Sequence, residues 1–288
     1  MPHRPTGAEL VLVLSCPDRP GIVHAVSGFI LAHGGTIVES QQFGDRLSDR
    51  FFMRIAFVTE TGARADDLRE AFGPVAVDFD MDFELWSSAA PYRTLIMVSK
   101  HLHCLNDLLF RASTGALQIE VPAIVSNHPD AGALARSYGI DFHHVPVTPD
   151  TKAAAEARLL ELVEETGSHL VVLARYMQVL SDDLCRSLSG RAINIHHSFL
   201  PSFKGARPYH QAFDRGVKLV GATAHYVTGD LDEGPIIEQD VLRVDHGYDQ
   251  DQLVSAGRDV EAQVLSRAVR WHSESRVLLN GERTVVFR

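Results

Sequence analysis

The sequence has few cysteines and no long apolar run. Its three cysteines, Cys16, Cys104 and Cys185, are scattered and form no CxxC pair, which argues against a zinc finger and fits a reducing compartment. No apolar run reaches the roughly 18 residues that a membrane span requires. The first residues also lack the apolar core of a secretory signal. We therefore expect a cytoplasmic protein without a membrane partner.

Positive charge and nucleotide-binding motifs are also missing. The 288 residues carry a net charge of −10 and show no Lys/Arg cluster on one predicted face, so a nucleic acid is not an expected partner. Neither a GxGxxG run nor a Walker A motif is present, which argues against a dinucleotide or ATP. The 15 histidines lack carboxylates at metal-ligand spacing, and we predict that no metal is bound.

Residues 1–86 are predicted to form a separate ferredoxin-like domain. The predicted elements are strands at residues 9–15, 36–43, 51–59 and 75–85, with helices beginning at residue 22 and at residue 65. Over residues 75–85, the alternation of apolar residues puts Val77, Phe79, Met81 and Phe83 on one face of the last strand. The resulting order is βαββαβ.

The turn after the first strand carries a recognisable motif. Residues 16–22 read CPDRPGI, in which Asp18 can cap the following helix and Gly21 permits close backbone approach. This turn resembles that of the ACT family of small regulatory domains. The resemblance implies a homo-oligomer, with an amino-acid effector or a subunit interface near Asp18, Gly21 and Ile22. A structural dimerisation domain that binds no ligand is the alternative.

Beyond a linker at residues 87–92, residues 93–288 are predicted to form an α/β domain. The predicted strands lie at residues 93–99, 119–126, 141–145 and 170–174, and the helices between them at 102–111, 130–138 and 149–166. Such alternation indicates βαβ units and a mostly parallel, Rossmann-like sheet.

Polar residues follow a further predicted strand at residues 193–196. Period-2 alternation puts Asn194 and His196 on one face of this strand, at the edge where open α/β sheets bind ligands. An amide can donate to an oxygen that gains charge, and an imidazole can move a proton. Asp232 supplies a carboxylate to fix that imidazole. The alternative is that these are loop-end residues satisfied by backbone groups.

Three runs resemble the formyltransferase family that uses 10-formyltetrahydrofolate: residues 194–205 (NIHHSFLPSFKG), 221–227 (GATAHYV) and 231–237 (LDEGPII). The second and third runs resemble the active-site signature of the family, whose aspartate falls at Asp232. Asp230 is a weaker candidate, because the signature carboxylate stands two residues before a glycine. The resemblance implies that Asn194, His196 and Asp232 are catalytic.

The same resemblance assigns a folate pocket. The residues it places there are Arg175, Tyr176, Met177, Gln178, Val179 and Leu180, with Thr228, Gly229 and Asp230 along the pterin. By periodicity alone, Met177 and Leu180 would instead be core residues.

Two branches of this family differ at the turn after the first strand of the second domain. Residues 98–104 read VSKHLHC and lack the glycines that a phosphate-binding turn needs. This departure, together with the ACT unit, resembles the branch in which water accepts the formyl group. Bulky Lys100, His101 and His103 would then exclude larger acceptors. The alternative for these side chains is a solvated helix start.

The resemblance extends over nearly the whole chain and implies hydrolysis of 10-formyltetrahydrofolate without a bound cofactor or metal. The formate released would balance the one-carbon pool and supply purine synthesis. Asn194 and protonated His196 would donate to the developing oxyanion. Asp232 would either orient His196 or take the proton of the water. Two rival classes remain, a formyltransferase that uses an amine acceptor and a folate-binding sensor without turnover.

Overall fold

The structure is a computed structural model that describes residues 9–60, 62–200 and 208–288. The described residues form two compact units. The first contains those up to Pro91 with Glu274–Asn280 and Val285–Arg288, and the second contains Tyr92–Ser273 and Gly281–Thr284. The predicted domain limits of 1–86 and 93–288 remain predictions. Residues 201–205 of the first family run lie outside the described residues.

The first unit has the predicted βαββαβ order. Its elements are β1 (Leu10–Pro17), α1 (Ile22–Ala32), β2 (Gly35–Asp45), β3 (Arg50–Thr59), α2 (Ala65–Phe79) and β4 (Asp82–Ser87). The strands form an antiparallel sheet in the order β2-β3-β1-β4. Val26 of α1 and Phe72 of α2 are fully buried in one apolar core with the sheet. The ferredoxin-like prediction is confirmed.

The predicted strand over residues 75–85 is wrong in its first part. Helix α2 continues through Pro74 to Phe79, although proline removes one backbone donor from a helix. Val75 and Phe79 are four residues apart and pack against the core from one helical face, whereas Val77 is 81% exposed. The end of a helix and the start of a strand had together produced an apparent period of two.

In the second unit, strands and helices alternate as the sequence predicts. The elements are β5 (Tyr92–Val98), α3 (His103–Ser113), β6 (Ile119–Glu120), β7 (Ala123–Ser126), α4 (Gly132–Ser137), β8 (Asp141–His144), α5 (Lys152–Glu165), β9 (Leu170–Leu173), α6 (Asp182–Ser187), β10 (Ala192–His196), α7 (Pro208–Asp214), β11 (Leu219–Tyr226), β12 (Ile236–Arg243) and α8 (Gln250–Ser273). Near the C-terminus, β13 (Val277–Asn280) and β14 (Arg283–Val286) form a two-stranded sheet. No helix in the described part of the chain is long and apolar enough to cross a membrane.

The sheet of the second unit has the strand order β12-β11-β10-β9-β5-β7-β8, with β6 paired to β5. The pairs from β10 through β8 are parallel, and β11 and β12 add an antiparallel edge. The mostly parallel sheet that the sequence predicts is therefore confirmed. Leu95–Val98 of β5 and Leu170–Leu173 of β9 are buried, as expected of strands covered on both faces.

The strand order places the functional residues. β5 lies between β9 and β7, so the chain leaves it toward one side of the sheet and later returns to the other. Ligands bind at such a switch point, outside the carboxyl ends of the strands. Ser99, Arg175 and His196 stand at or just beyond the carboxyl ends of β5, β9 and β10. These three ends are adjacent in the sheet.

Candidate active site

A cavity of about 270 Å³ opens at the carboxyl ends of β9 and β10. The three predicted catalytic residues line it: Asn194, His196 and Asp232. The nine predicted folate residues line it as well: Arg175, Tyr176, Met177, Gln178, Val179, Leu180, Thr228, Gly229 and Asp230. Segments that lie far apart in the sequence thus meet around one space, large enough for part of a small organic ligand.

His196 and Asp232 form an ion-pair contact in this cavity. The Nδ1 atom of His196 lies 3.1 Å from Oδ1 of Asp232, and both side chains are largely buried. The bond from His196 lowers the pKa of Asp232 despite the opposing effect of burial, so the carboxylate stays ionised. The other ring nitrogen, Nε2, lies 2.9 Å from Oγ of Ser198. Both nitrogens of His196 therefore have partners that hold the ring in place.

The turn that carries Asp232 depends on a glycine. A Cβ atom at Gly234 would overlap the carbonyl oxygen of Tyr226, so only glycine allows this close approach. There, the N–H of Tyr226 donates to the carbonyl of Pro235 at 2.9 Å. Asp232 itself has a φ of 58°, a left-handed conformation that aspartate adopts more readily than most residues. The LDEGP run is thus the local reason that Asp232 reaches His196.

Asn194 is oriented by His225 on the neighbouring strand β11. Nδ1 of His225 donates to the carbonyl of Tyr226 at 2.9 Å, which leaves Nε2 as an acceptor in the neutral ring. Nδ2 of Asn194 donates to this Nε2 at 3.2 Å. Burial lowers the pKa of His225, so the ring stays neutral. One amide hydrogen of Asn194 is thereby fixed, and the second is free to meet a substrate.

A second polar cluster centres on Glu261 of α8, which is 1% exposed. Its carboxylate accepts from the hydroxyl of Tyr209 at 2.7 Å and lies 2.8 Å from Nε2 of His103. The Nε atom of Arg175 lies 3.4 Å from the same carboxylate. Burial raises the pKa of Glu261, but the bond from His103 and the charge of Arg175 outweigh it and leave that pKa lowered. Glu261 is therefore a buried anion among donors.

His197 lies near both polar clusters. Its ring centroid is 5.2 Å from that of His196 and 6.4 Å from that of Tyr209. Burial and then the charge of Arg175 lower its pKa to about 3. The side chain of His197 is thus a neutral hydrogen-bonding group on the cavity wall at physiological pH.

One group of metal-ligating type occurs among the described residues, and it belongs to the second cluster. His103, Cys104 and Glu261 offer donor atoms within 4.8 Å of one another. The guanidinium of Arg175 contacts the same carboxylate, and its positive charge opposes a cation there. Burial also raises the pKa of the Cys104 thiol, which disfavours the thiolate that a metal needs.

The turn after β5 is arranged differently from the sequence-based hypothesis. Lys100 and His101 are exposed, and only His103 turns inward, to Glu261. None of the three lines the cavity. A bulky turn alone therefore does not form the wall of the site. Lys100 and His101 instead fit the alternative, in which they are solvated residues at the start of a helix.

Apolar members of the predicted folate residues form a rim around the cavity together with Leu231. Met177, Val179 and Leu231 are each more than half exposed while lining the cavity. Exposed apolar side chains gathered around a cavity are typical of a site that binds an aromatic or apolar ligand. Leu180 lines the cavity and also packs against the core of the second unit. Periodicity alone, which assigned Met177 to the core, was thus wrong for that residue.

Sequence reasoning missed three polar residues of this site. His197 and Ser198 stand inside the NIHHS run without an assigned role, and His225 stands inside the GATAHYV run. The sequence carried no signal that placed His225 beside Asn194. Only the antiparallel pairing of β10 with β11, which sets Asn194 opposite His225, reveals the contact.

The residues predicted near an effector lie in the first unit, at the start of α1. Asp18 is exposed, and Gly21 has a φ of 99° at the N-cap. Ile22 is 2% exposed and belongs to the apolar core, so its side chain is not available to a ligand. The backbone N–H groups of this helix start remain suited to an anionic group.

Comparison with known proteins agrees with the division of the chain into two units. Residues 92–269 match the family model of the formyl transferase domain, and residues 10–73 match that of the ACT domain. The glycinamide ribonucleotide transformylase 1 of Symbiobacterium toebii is 30% identical with a TM-score of 0.65, covering 71% of this chain and 98% of that chain.

Two relatives match both units. A formyltetrahydrofolate deformylase of a Corynebacterium species is 58% identical over 279 residues, or 96% of this chain and 98% of that protein. The crystal structure of formyltetrahydrofolate deformylase from Burkholderia mallei is 55% identical with a TM-score of 0.94, covering 98% of this chain and 100% of that chain. With this identity over both units, the chain belongs to the formyltetrahydrofolate deformylase family.

Proposed function

We propose that this chain hydrolyses 10-formyltetrahydrofolate to formate and tetrahydrofolate, with Asn194, His196 and Asp232 as its catalytic residues. The observation that carries the proposal is the His196–Asp232 contact of 3.1 Å beside Asn194, in a cavity lined by every residue assigned to folate. Amide donor, imidazole and carboxylate are the groups that the reaction needs.

The substrate would lie with its pterin and aryl groups on the apolar rim. We assign this binding to residues 175–180 of the loop after β9 and to residues 228–230 of the loop after β11. Polar atoms of these loops can meet the pterin, while Met177 and Val179 cover its faces. The formyl group would then point toward Asn194 at the end of β10.

In the proposed reaction, the oxygen of water attacks the formyl carbon and forms a new C–O bond. The carbonyl electron pair moves onto the formyl oxygen, which accepts from the free amide hydrogen of Asn194. The proton of the water passes to the coupled His196–Asp232 pair. Protonated His196 then also donates to the oxyanion, sharing its Nε2 proton between that oxygen and Ser198.

The second half of the reaction breaks the bond between the formyl carbon and N10. This nitrogen is an aryl amine and leaves poorly until it is protonated, so the proton held by His196 and Asp232 goes to it. Formate and tetrahydrofolate result. The lowered pKa makes Asp232 alone a weak base, which favours its role as the partner that holds and charges His196. These groups supply the whole reaction, so the proposal uses no metal.

Replacement of Asn194 by alanine tests the oxyanion donor. We expect kcat to fall about 10²–10³-fold, the usual cost of losing one such donor. KM should change little, because the bond forms mainly in the transition state. Formate release from 10-formyltetrahydrofolate is the measurement, with Asn106→Ala at an exposed position of α3 as a control. Equal kcat in Asn194→Ala and wild type would remove Asn194 from the mechanism.

For the first unit we propose regulation by an amino acid bound near Asp18 and Gly21. We further propose that the protein is a cytoplasmic homo-oligomer and that the formate it releases supplies purine synthesis. The exposed carboxylate and the free helix start support the amino-acid site, since they suit the ammonium and carboxylate of such a ligand. Thermal-shift measurements with a panel of amino acids, on wild type and Asp18→Ala, test the site. An absence of any shift in wild type would leave a structural ACT unit.

A further inference from the structure

Arg175 combines buried nitrogen atoms that lack hydrogen-bond partners with a strained backbone conformation. It is 8% exposed, and its Nε and Nη1 atoms are buried without a hydrogen-bond partner. Its φ of 64° lies in the left-handed region, which strains a long side chain. Buried donors without acceptors are rare in folded proteins and often mark a functional role. Since Arg175 also lines the active cavity, such a role would belong to the reaction.

Arg175 both lines the cavity and contacts Glu261. Arg175 lines the cavity, whereas Glu261 is not among its lining residues in the described part of the chain. The carboxylate of Glu261 is held by His103 at 2.8 Å and by Tyr209 at 2.7 Å. Such a fixed, buried carboxylate requires a cation next to it. Here the cation is the side chain of Arg175, with Nε at 3.4 Å.

A carboxylate in this position is suited to hold an amine. In the Symbiobacterium protein, a transformylase by name, the similar catalytic half spans nearly the whole chain, and a formyl group reaches an amine only if that amine is bound beside the formyl carbon. A guanidinium fills the same charged space without reacting, because it stays protonated and has no free electron pair.

We propose that Arg175 occupies the place of an amine acceptor against Glu261 and thereby reserves the formyl group for water. The inference rests on the proposed hydrolysis and assigns its acceptor specificity to one side chain. Arg175 is a specificity-determining residue in this account, and Glu261 is the group that positions it.

His197 connects this cluster to the reacting groups. Its ring lies close to that of His196 on one side and to that of Tyr209, a partner of Glu261, on the other. The Arg175–Glu261 pair is therefore within electrostatic reach of the groups proposed to handle the proton. An amine held by Glu261 would take the place of Arg175, which lines the cavity.

The formyl transfer that we expect of the Arg175 variants balances in atoms and protons. The nitrogen of a primary amine attacks the formyl carbon and forms a new C–N bond, while the bond to N10 breaks. The amine loses one proton and N10 gains one, so the products are an N-formyl amine and tetrahydrofolate. No oxidant, reductant or further reactant is needed.

Arg175→Gly is the direct test, since glycine accepts the positive φ without strain. Arg175→Asn serves as a second variant, because asparagine also tolerates that conformation. Each is incubated with 10-formyltetrahydrofolate and graded concentrations of glycinamide, a small primary amine. The ratio of N-formylglycinamide to formate is measured by mass spectrometry. This ratio is independent of the total rate, which need not equal that of wild type.

We expect wild type to give formate alone, and the variants to raise the ratio by about tenfold or more, the scale of selectivity that one pocket contact controls. The double variant Arg175→Gly/Glu261→Gln should return the ratio toward wild type, because the carboxylate that holds the amine is gone. Variants that still release formate but never formylate glycinamide would overturn the proposal. Loss of both reactions in both folded variants would overturn it too, since Arg175 would then serve the chemistry. Wild type that releases no formate would instead refute the hydrolysis itself.

Discussion

Asp232→Asn is expected to lower kcat for formate release by about 10³–10⁴-fold, the loss seen when a carboxylate that orients a catalytic histidine becomes an amide. The amide can still contact Nδ1 of His196, now 3.1 Å from the carboxylate. However, it carries no charge to stabilise the protonated ring. KM should change far less, because the proposed folate contacts lie on other residues of the cavity.

The control is Glu233→Gln, which makes the same change of charge on the next residue of the turn, at an exposed position. It should leave kcat close to wild type. Because the bond from His196 holds the pKa of Asp232 below its ordinary value of 3.8, protonation of Asp232 should cause no loss of wild-type activity above that pH. Equal kcat in Asp232→Asn and Glu233→Gln would exclude the proposed role of the carboxylate.

His196→Gln is expected to have an effect of similar size, about 10²–10⁴-fold in kcat, because glutamine cannot take up and return a proton. The side chain is buried at the end of β10 and bonded on both sides. Glutamine can keep part of that hydrogen bonding, which separates loss of proton transfer from loss of folding. His246→Gln changes an exposed histidine of the same unit and should retain full activity.

The double variant His196→Gln/Asp232→Asn tests whether the two residues act as one catalytic pair or as two independent groups. Residues that act as a unit show strongly non-additive losses. We expect the double variant to lose about as much activity as the worse single variant. A loss equal to the product of the two single losses would mean that His196 and Asp232 act separately.

The part of the site that could be predicted from sequence is the part where reactive residue types fall at the end of a predicted strand. Asn194 and His196 share a face because side chains alternate along a strand, and β10 has that geometry. Asp232 was identified from the family signature, and the structure adds that Gly234 allows a close backbone approach in its turn. The folate residues came from the family resemblance, and the structure brings all of them to one cavity.

The Arg175–Glu261 pair could not be predicted in this way. Glu261 lies on α8, far along the chain from β9, and in sequence it appears as one acidic residue of a long amphipathic helix. Its burial follows from the packing of α8 on α3 and α7, near His103 and Tyr209. No local pattern reveals that two nitrogens of Arg175 lack partners. Such features arise only when distant elements pack together.

The misassigned strand after Pro74 has a local cause. Proline usually ends a helix, and apolar residues at alternate positions usually indicate a strand. Here the burial of Phe72, Val75 and Phe79 along one face of α2 outweighed the lost backbone donor. Tertiary packing thus overrode a local preference.

The most direct test of the account is anaerobic incubation of the purified protein with 10-formyltetrahydrofolate and no added amine, following formate and tetrahydrofolate together. We predict that both appear in equal amounts, because water is the acceptor supplied and each C–N bond broken releases one formate and one tetrahydrofolate. Tight binding of 10-formyltetrahydrofolate without release of formate would contradict the account and would indicate a transformylase with another acceptor or a folate sensor.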